Sequence, residues 1–440
     1  LNCVVRVNQR ADARQRKTGA PPATSHAFGE YVWGARHLYA RRPMTDSRLA
    51  LLALAALTLA SATTRAEGAA GDDGERTTLR LELGAEYDSN AHRTEAVSGG
   101  PPVNPVESWV QRIVVGGAVS DVVADGQAIN VSATGAAKLF DAPAARNETV
   151  AVAQSSLAWR VDVSSRTRLT TAGAYYEAFQ NAGFDQAALD ERRDFRSLAG
   201  TLQLGIAASP RSDIVLGGGY RSLLFKADQD FNFQGPTASL DWRWTRTPEG
   251  ENDGGDWELG AGAGFEQRWF AGPALAASCG GGAVPGLPCP GVDQRLDRLY
   301  MGHAEATRTG WALTGLGYAL VYNASNSYGE TVTRHFAILR FAAPLPLDLT
   351  IAARAELLFA FYREAVPLVV QSGCTAPGSG CTSIEEENRS SVRVDLSRPL
   401  ADNLRLFARY TFYANELGTS AGHYRRQTVL VSLAFGFDGP

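Results

Sequence analysis

Residues 423–437 read HYRRQTVLVSLAFGF. In that stretch Val429, Val431, Leu433, Phe435 and Phe437 share one face, and Leu430, Ser432, Ala434 and Gly436 share the other. A period of two is the repeat of a β-strand. One face is large and apolar; the other is mostly small. A chain built from such segments must find a cover for each oily face. That demand restricts it to a packed sandwich or to a closed sheet with its apolar side in lipid.

The pattern recurs along the whole chain. Thr77 to Tyr87 sets Leu79, Leu81, Leu83, Ala85 and Tyr87 against Arg80, Glu82, Gly84 and Glu86. Similar segments are predicted at 109–119, 129–139, 149–163, 168–179, 197–208, 214–225, 237–244, 257–269, 296–307, 311–322, 332–341, 347–361, 392–398, 404–414 and 423–437. Leu347 to Phe361 is the clearest, with eight apolar residues facing Asp348, Thr350, Arg354 and Glu356. Facing is ambiguous in the fifth, seventh, tenth, eleventh and twelfth segments. The links alternate in length. Odd links (88–107, 140–148, 180–194, 226–231, 271–294, 323–330, 363–387, 415–422) are mostly long. Even links such as Ser164-Ser165, Ser209 to Ser212, Thr309-Gly310, Pro344-Leu345-Pro346 and Pro399 to Asp402 are tight and rich in turn formers. Thr247 to Asp256 is the longer exception.

Leu49 to Ala60 (LALLALAALTLA) is the longest apolar run, too short for the ~18 residues a spanning helix needs. Arg48 precedes it and Ala60-Ser61-Ala62 follows, the layout of a secretory signal, with Ala66 a second cleavage candidate. The expected organisation is an unstructured or over-extended segment 1–43, a signal peptide 44–66 starting at Met44, a short periplasmic lead 67–76, a barrel 77–437 and a tail 438–440. A twin-arginine signal at Arg41-Arg42 is the weaker alternative. Residues 1–66 hold ten of the 42 Lys+Arg and three of the 46 Asp+Glu, so the remainder carries 32 against 43, a net −11. That balance argues against nucleic acid as a partner, which needs clustered basic charge. Cys279/Cys289 and Cys374/Cys381 form two local pairs. Short loops close at least entropic cost, so in an exported chain disulfides Cys279–Cys289 and Cys374–Cys381 are expected, with a zinc site as the rival.

A chain with this alternation and this aromatic-tipped last strand resembles the bacterial outer-membrane β-barrels. The resemblance implies an all-β, transmembrane, antiparallel up-and-down barrel of about sixteen strands, with short periplasmic turns and long extracellular loops. It also implies that Phe435 and Phe437 belong to the signal read by the barrel-insertion machinery, although three residues follow Phe437 here. Localisation would be the outer membrane of a Gram-negative bacterium, with membrane lipid and lipopolysaccharide as partners. Glu385-Glu386-Glu387 could bridge lipopolysaccharide phosphates through divalent cations. A second, seven-residue resemblance lies in Gly84-Ala85-Glu86-Tyr87-Asp88-Ser89-Asn90, similar to the opening of a broad group of proteobacterial barrels. Some members of that group export surface polysaccharide or lipoprotein.

Aromatic girdles are expected from Trp109, Trp159, Trp242, Trp244, Trp257, Trp269 and Trp311. Trp257 and Trp269 stand twelve residues apart on one face, a height difference of about 30 Å at ~3.3 Å per residue and ~40° tilt. The candidate lining residues carry both signs: Arg80, Glu82, Glu86, Arg112, Lys138, Asp241, Arg243, Glu258, Glu266, Arg268, Arg354, Glu356, Arg393, Asp395, Arg405 and Arg409. They could filter solutes or merely pair across strands; with no ring of one sign, weak ion selectivity is predicted. Gly260-Ala261-Gly262-Ala263-Gly264 lies mid-strand with no helix after it, so it reads as small inner residues rather than a phosphate loop. His303, Glu305 and His335 lack a serine at a readable spacing. No catalytic residue, metal or cofactor is predicted. The function expected is a passive porin-like channel for small polar solutes. The alternative is a barrel subunit of an envelope or cell-surface assembly whose loops bind partner proteins.

Overall fold

The computed structural model describes residues 76–92, 96–97, 104–180, 194–226, 229–246, 256–277, 289–364, 390–414, 422–423 and 425–439. Each alternating segment forms a strand. In chain order these are β1 (Arg76–Asp88), β2 (Ser108–Ala124), β3 (Gln127–Phe140), β4 (Val150–Ser164), β5 (Thr167–Gln180), β6 (Phe195–Ser209), β7 (Ser212–Phe225) and β8 (Phe233–Arg246). They continue as β9 (Asp256–Ala276), β10 (Cys289–Thr309), β11 (Leu313–Ser325), β12 (Val332–Leu345), β13 (Leu349–Tyr362), β14 (Ser390–Ala401), β15 (Leu404–Ala414) and β16 (Arg425–Gly439). Each pairs antiparallel with its chain neighbours, and β16 pairs with β1, so the sixteen strands close into a barrel. Closure leaves no strand edge with unpaired backbone groups.

The register assigns the faces. Leu81, Leu83, Trp109, Val131, Leu157, Leu202, Leu216, Leu240, Leu316, Leu339, Phe361, Leu396, Val431 and Leu433 are exposed on the outside. Their cross-strand partners share that face, and the residues between them point inward. The five ambiguous strands are settled this way. In β5, for example, Gly173 pairs with outward Leu157, so Tyr176 and Ala178 point inward. Ambiguity arose there because both faces carry apolar residues.

One rim is made of tight turns and the other of longer links. At the turn end, the β2–β3 hairpin uses Gly126 at φ +70°, a conformation glycine adopts without steric cost. The β12–β13 turn places Leu347 at φ 66° and Asp348 at φ 58°, where side chains are strained. These two residues therefore leave the strand predicted to start at Leu347. Trp311 also lies in a turn, between β10 and β11. At the loop end, β9 and β10 run on to Ala276 and back from Cys289, 21 residues each, through two register shifts near Pro273. Residues 271–276 and 289–294 of the link predicted at 271–294 are thus strand. The terminal strand passes the expected boundary at Phe437, because Asp438 and Gly439 pair with Thr78 and Thr77.

The loop half of the interior is packed. Val152, Tyr176, Phe195, Leu223, Phe225, Phe233 and Phe270, all inward, form one buried cluster. Leu299, Val321, Phe336 and Leu358 form a second. Rings meet at centroid distances of 5.3–5.6 Å within the first.

Candidate functional site

All sixteen predicted lining residues lie on the inner face. Glu82, the partner of Val114 across β1–β2, accepts from Arg80 at 2.6 Å and from Arg112 at 3.2 Å. Lys138 donates to Glu86 at 3.0 Å. Glu266 receives Arg268 at 2.7 Å, with Arg221 at 3.9 Å. Arg354 meets Glu356 at 2.9 Å, and Asp395 holds Arg393 at 2.8 Å and Arg409 at 2.7 Å. Asp241 pairs not with Arg243 but with His303, at 3.4 Å across β9. Gly262 makes that reach possible, since a Cβ there would stand 2.4 Å from both Asp241 Oδ1 and His303 Cε1. Arg243, Glu258 and Arg405 form no ion pair with another described residue. His303 and Glu305 share the inner face, whereas His335 lies outside, hydrogen-bonded to Tyr318 at 2.7 Å.

A spacing rule unites several pairs. Period two puts residues i and i+2 on one face. Arg80/Glu82, Arg295/Asp297, Arg354/Glu356, Arg393/Asp395 and the reversed Glu266/Arg268 all use it. That rule would have found Arg295 and Asp297, which the sequence reading left out. It would also have found Arg160 and Asp162, at 3.9 Å.

The strongest omission is Asp88 with Arg426. Arg426 Nε donates to both carboxylate oxygens at 3.0 Å and Nη2 to Oδ2 at 2.6 Å, in a fully buried fork. The seven-residue segment 84–90 is the β1 side of this seam. Gly84 faces Ser432 so closely that a Cβ would lie 2.7 Å from Ser432 Cβ. Tyr87 stacks edge-on against Trp109 at 5.6 Å on the outside. Ser89 exchanges bonds with Gln427, and Asn90 Nδ2 donates to the Arg425 carbonyl at 3.1 Å. Every second residue of the segment therefore grips β16 or β3 from within.

At the loop rim, Arg295 lies 2.7 Å from Asp297 and 3.1 Å from Glu330. Asp297 also accepts from Ser325 and from Asn323 Nδ2 at 3.3 Å. Burial pushes the Glu330 carboxyl up to about 7, against the pull of Arg295, and the neighbouring Asp297 adds to the rise.

Trp109, Trp159, Trp242, Trp257, Trp269 and Trp311 are exposed, and Trp244 is half-buried on the same outer face. Phe435 and Phe437 are also exposed, opposite Leu81 and Leu79. Cys289 is disulfide-bonded. Its expected partner Cys279, the pair Cys374/Cys381 and Glu385 to Glu387 lie outside the described residues, as do segments 1–43, 44–66 and most of 67–76.

No family model and no curated protein matches the chain. Among solved structures it is similar to OpdK of Pseudomonas aeruginosa with vanillate, at 11% identity and TM-score 0.39, covering 83% of this chain and 99% of that one. It is similar to OmpT, an outer membrane protein of Vibrio cholerae, at 9% identity and TM-score 0.39, covering 83% and 99%. A deltaS2 mutant of the TodX monoaromatic hydrocarbon channel aligns at 10% identity and TM-score 0.35, covering 84% and 91%.

Proposed function

We propose that this protein is an outer-membrane barrel acting as a passive channel for small polar solutes. The observation that carries the reading is the division of the sixteen strands into an exposed apolar exterior and a charged, glycine-rich interior. Water would not select an exterior of that kind, whereas hydrocarbon does. A twelve-residue strand tilted at ~40° stands about 30 Å tall, enough for the ~25 Å apolar band. Sixteen strands make a ring wide enough for an aqueous passage. The loop rim then faces outward from the cell, the turn rim faces the periplasm, and lipid, lipopolysaccharide and the insertion machinery are the partners. The interior charges open to solvent, such as Arg80 and Arg354, act on solutes at short range.

The test is single-channel recording of the purified protein in a planar bilayer. A steady ohmic conductance is expected. A silent protein that brings envelope proteins through purification would replace this reading with that of an assembly subunit.

A further inference from the structure

We infer that Arg340, Arg354 and Arg393 form an oxyanion-binding site on the inner wall of β12–β14, specific for solutes bearing carboxylate or phosphate. This rests on the channel reading for its role in transport, but the site itself rests on register.

Arg340 pairs directly with Arg354, and Arg354 directly with Arg393. Three guanidinium groups thus stand on one rung of the inner face, with neighbouring Cβ atoms about 5 Å apart. Like charges placed directly opposite destabilise a sheet. A sequence that keeps three of them in a row breaks a local rule, and such breaks mark functional positions.

Each arginine has a carboxylate neighbour, and the exposure of the partners differs along the rung. The Arg354 side chain is 41% exposed and its partner Glu356 18%. Arg393 is 34% exposed and Asp395 13%. At Arg354 and Arg393 the guanidinium is the more exposed partner. Arg340, 46% exposed, reaches Glu305 only at 3.5 Å. The exposed part of the Arg354 side chain, not its buried Nε, is what a solute would meet.

The ends of the rung leave room. On one side Arg340 pairs with Gly315, which contributes no side chain. On the other Arg393 pairs with Thr411. Guanidinium forks match the two oxygens of a carboxylate or phosphate, and three forks in a row favour a ligand with more than one anionic group.

Titration calorimetry on the full-length protein in detergent tests the site without requiring conduction. The probes are inorganic phosphate, citrate and glucose. Phosphate and citrate should bind and glucose should not. Arg354→Gln should weaken both anions about tenfold. Arg354→Lys should restore phosphate more than citrate, since an ammonium is a point charge without the fork. In bilayers under a salt gradient, the wild type should favour chloride over potassium by a few fold, and the Gln variant should approach unity. Citrate binding alone, or phosphate binding alone, identifies which oxyanion source the site serves and supports it. Equal binding by wild type and Arg354→Gln, or binding of glucose as strong as that of citrate, overturns the proposal. Anion binding in a protein that conducts nothing would overturn the channel reading and leave the site standing.

Discussion

The loop half and the turn half of the interior use the same unit, a basic side chain beside a carboxylate, at opposite extremes of solvation. Near the loops, Asp88 and Arg426 are 0% and 4% exposed, and Lys138 and Glu86 are 6% and 2%. Near the turns, Arg168 and Asp162 are 57% and 34% exposed, and Arg340 and Glu305 are 46% and 40%. Buried apolar clusters occupy the same half of the interior. Gly436, with open space beside it, belongs to the second region. Breaking a buried pair is costly, because removing one partner strands the other charge away from water. An exposed pair contributes little to stability and keeps its charges in solvent. Depth in the barrel, not residue type, separates buried pairs from pairs open to solvent.

Substitutions at each level can break that comparison. The largest effect is expected from Arg426→Gln, which leaves Asp88 buried and uncompensated. It should cost about 3–5 kcal/mol, read as a lower urea midpoint of tryptophan fluorescence in detergent. A cost near that of an exposed pair would erase the distinction between halves. Leu223→Ala in the first aromatic cluster should cost about 2–4 kcal/mol, with the cavity confined to the loop half. The same measurement on an outward leucine such as Leu157→Ala, in detergent, should show a smaller loss.

Glu330 supplies a pH test. Its carboxyl titrates near 7 in the fold and at the ordinary 4.5 when unfolded. The folded state therefore binds a proton more tightly than the unfolded one. That contribution is complete below about pH 4.5, declines as pH rises through 7, and is absent above. Unfolding midpoints should rise on acidification across this window. Glu330→Gln should flatten the profile and gain about 1–2 kcal/mol at pH 8; an unaltered slope would show that another group is responsible. The smallest effect is expected from Asp162→Asn at the turn end, where the pair with Arg168 is open to solvent and screened by salt. Its urea midpoint should stay within error of the wild type at high ionic strength.

How much of this was legible in the sequence follows from the range of each interaction. The alternation is local, so all sixteen strands and the inward face of the charged residues could be read from neighbours two positions apart. Loop asymmetry was legible for the same reason. The turn at Leu347 and Asp348 was not, because a strained conformation at non-glycine residues leaves no sequence signal. The overshoot of β9 and β10 was hidden by Pro273 and Gly272, which read as turn formers and instead sit at the register shifts. Weak ion selectivity was expected because both signs occur inside. Registration of Arg340, Arg354 and Arg393 on one rung depends on three strands at once, and no single segment discloses it. Burial of Asp88 was equally invisible, since its partner is on the far end of the chain.

That distance has a consequence for assembly. Asp88 and Arg426 are 338 residues apart. Joining such remote positions costs about 5 kcal/mol of chain freedom on polymer scaling. An unclosed sheet would leave the Asp88 carboxylate on its first border and the Arg426 guanidinium on its last, apart from each other. Only the complete ring quenches both in a single contact. Closure of the ring is therefore the step that first joins these two charges.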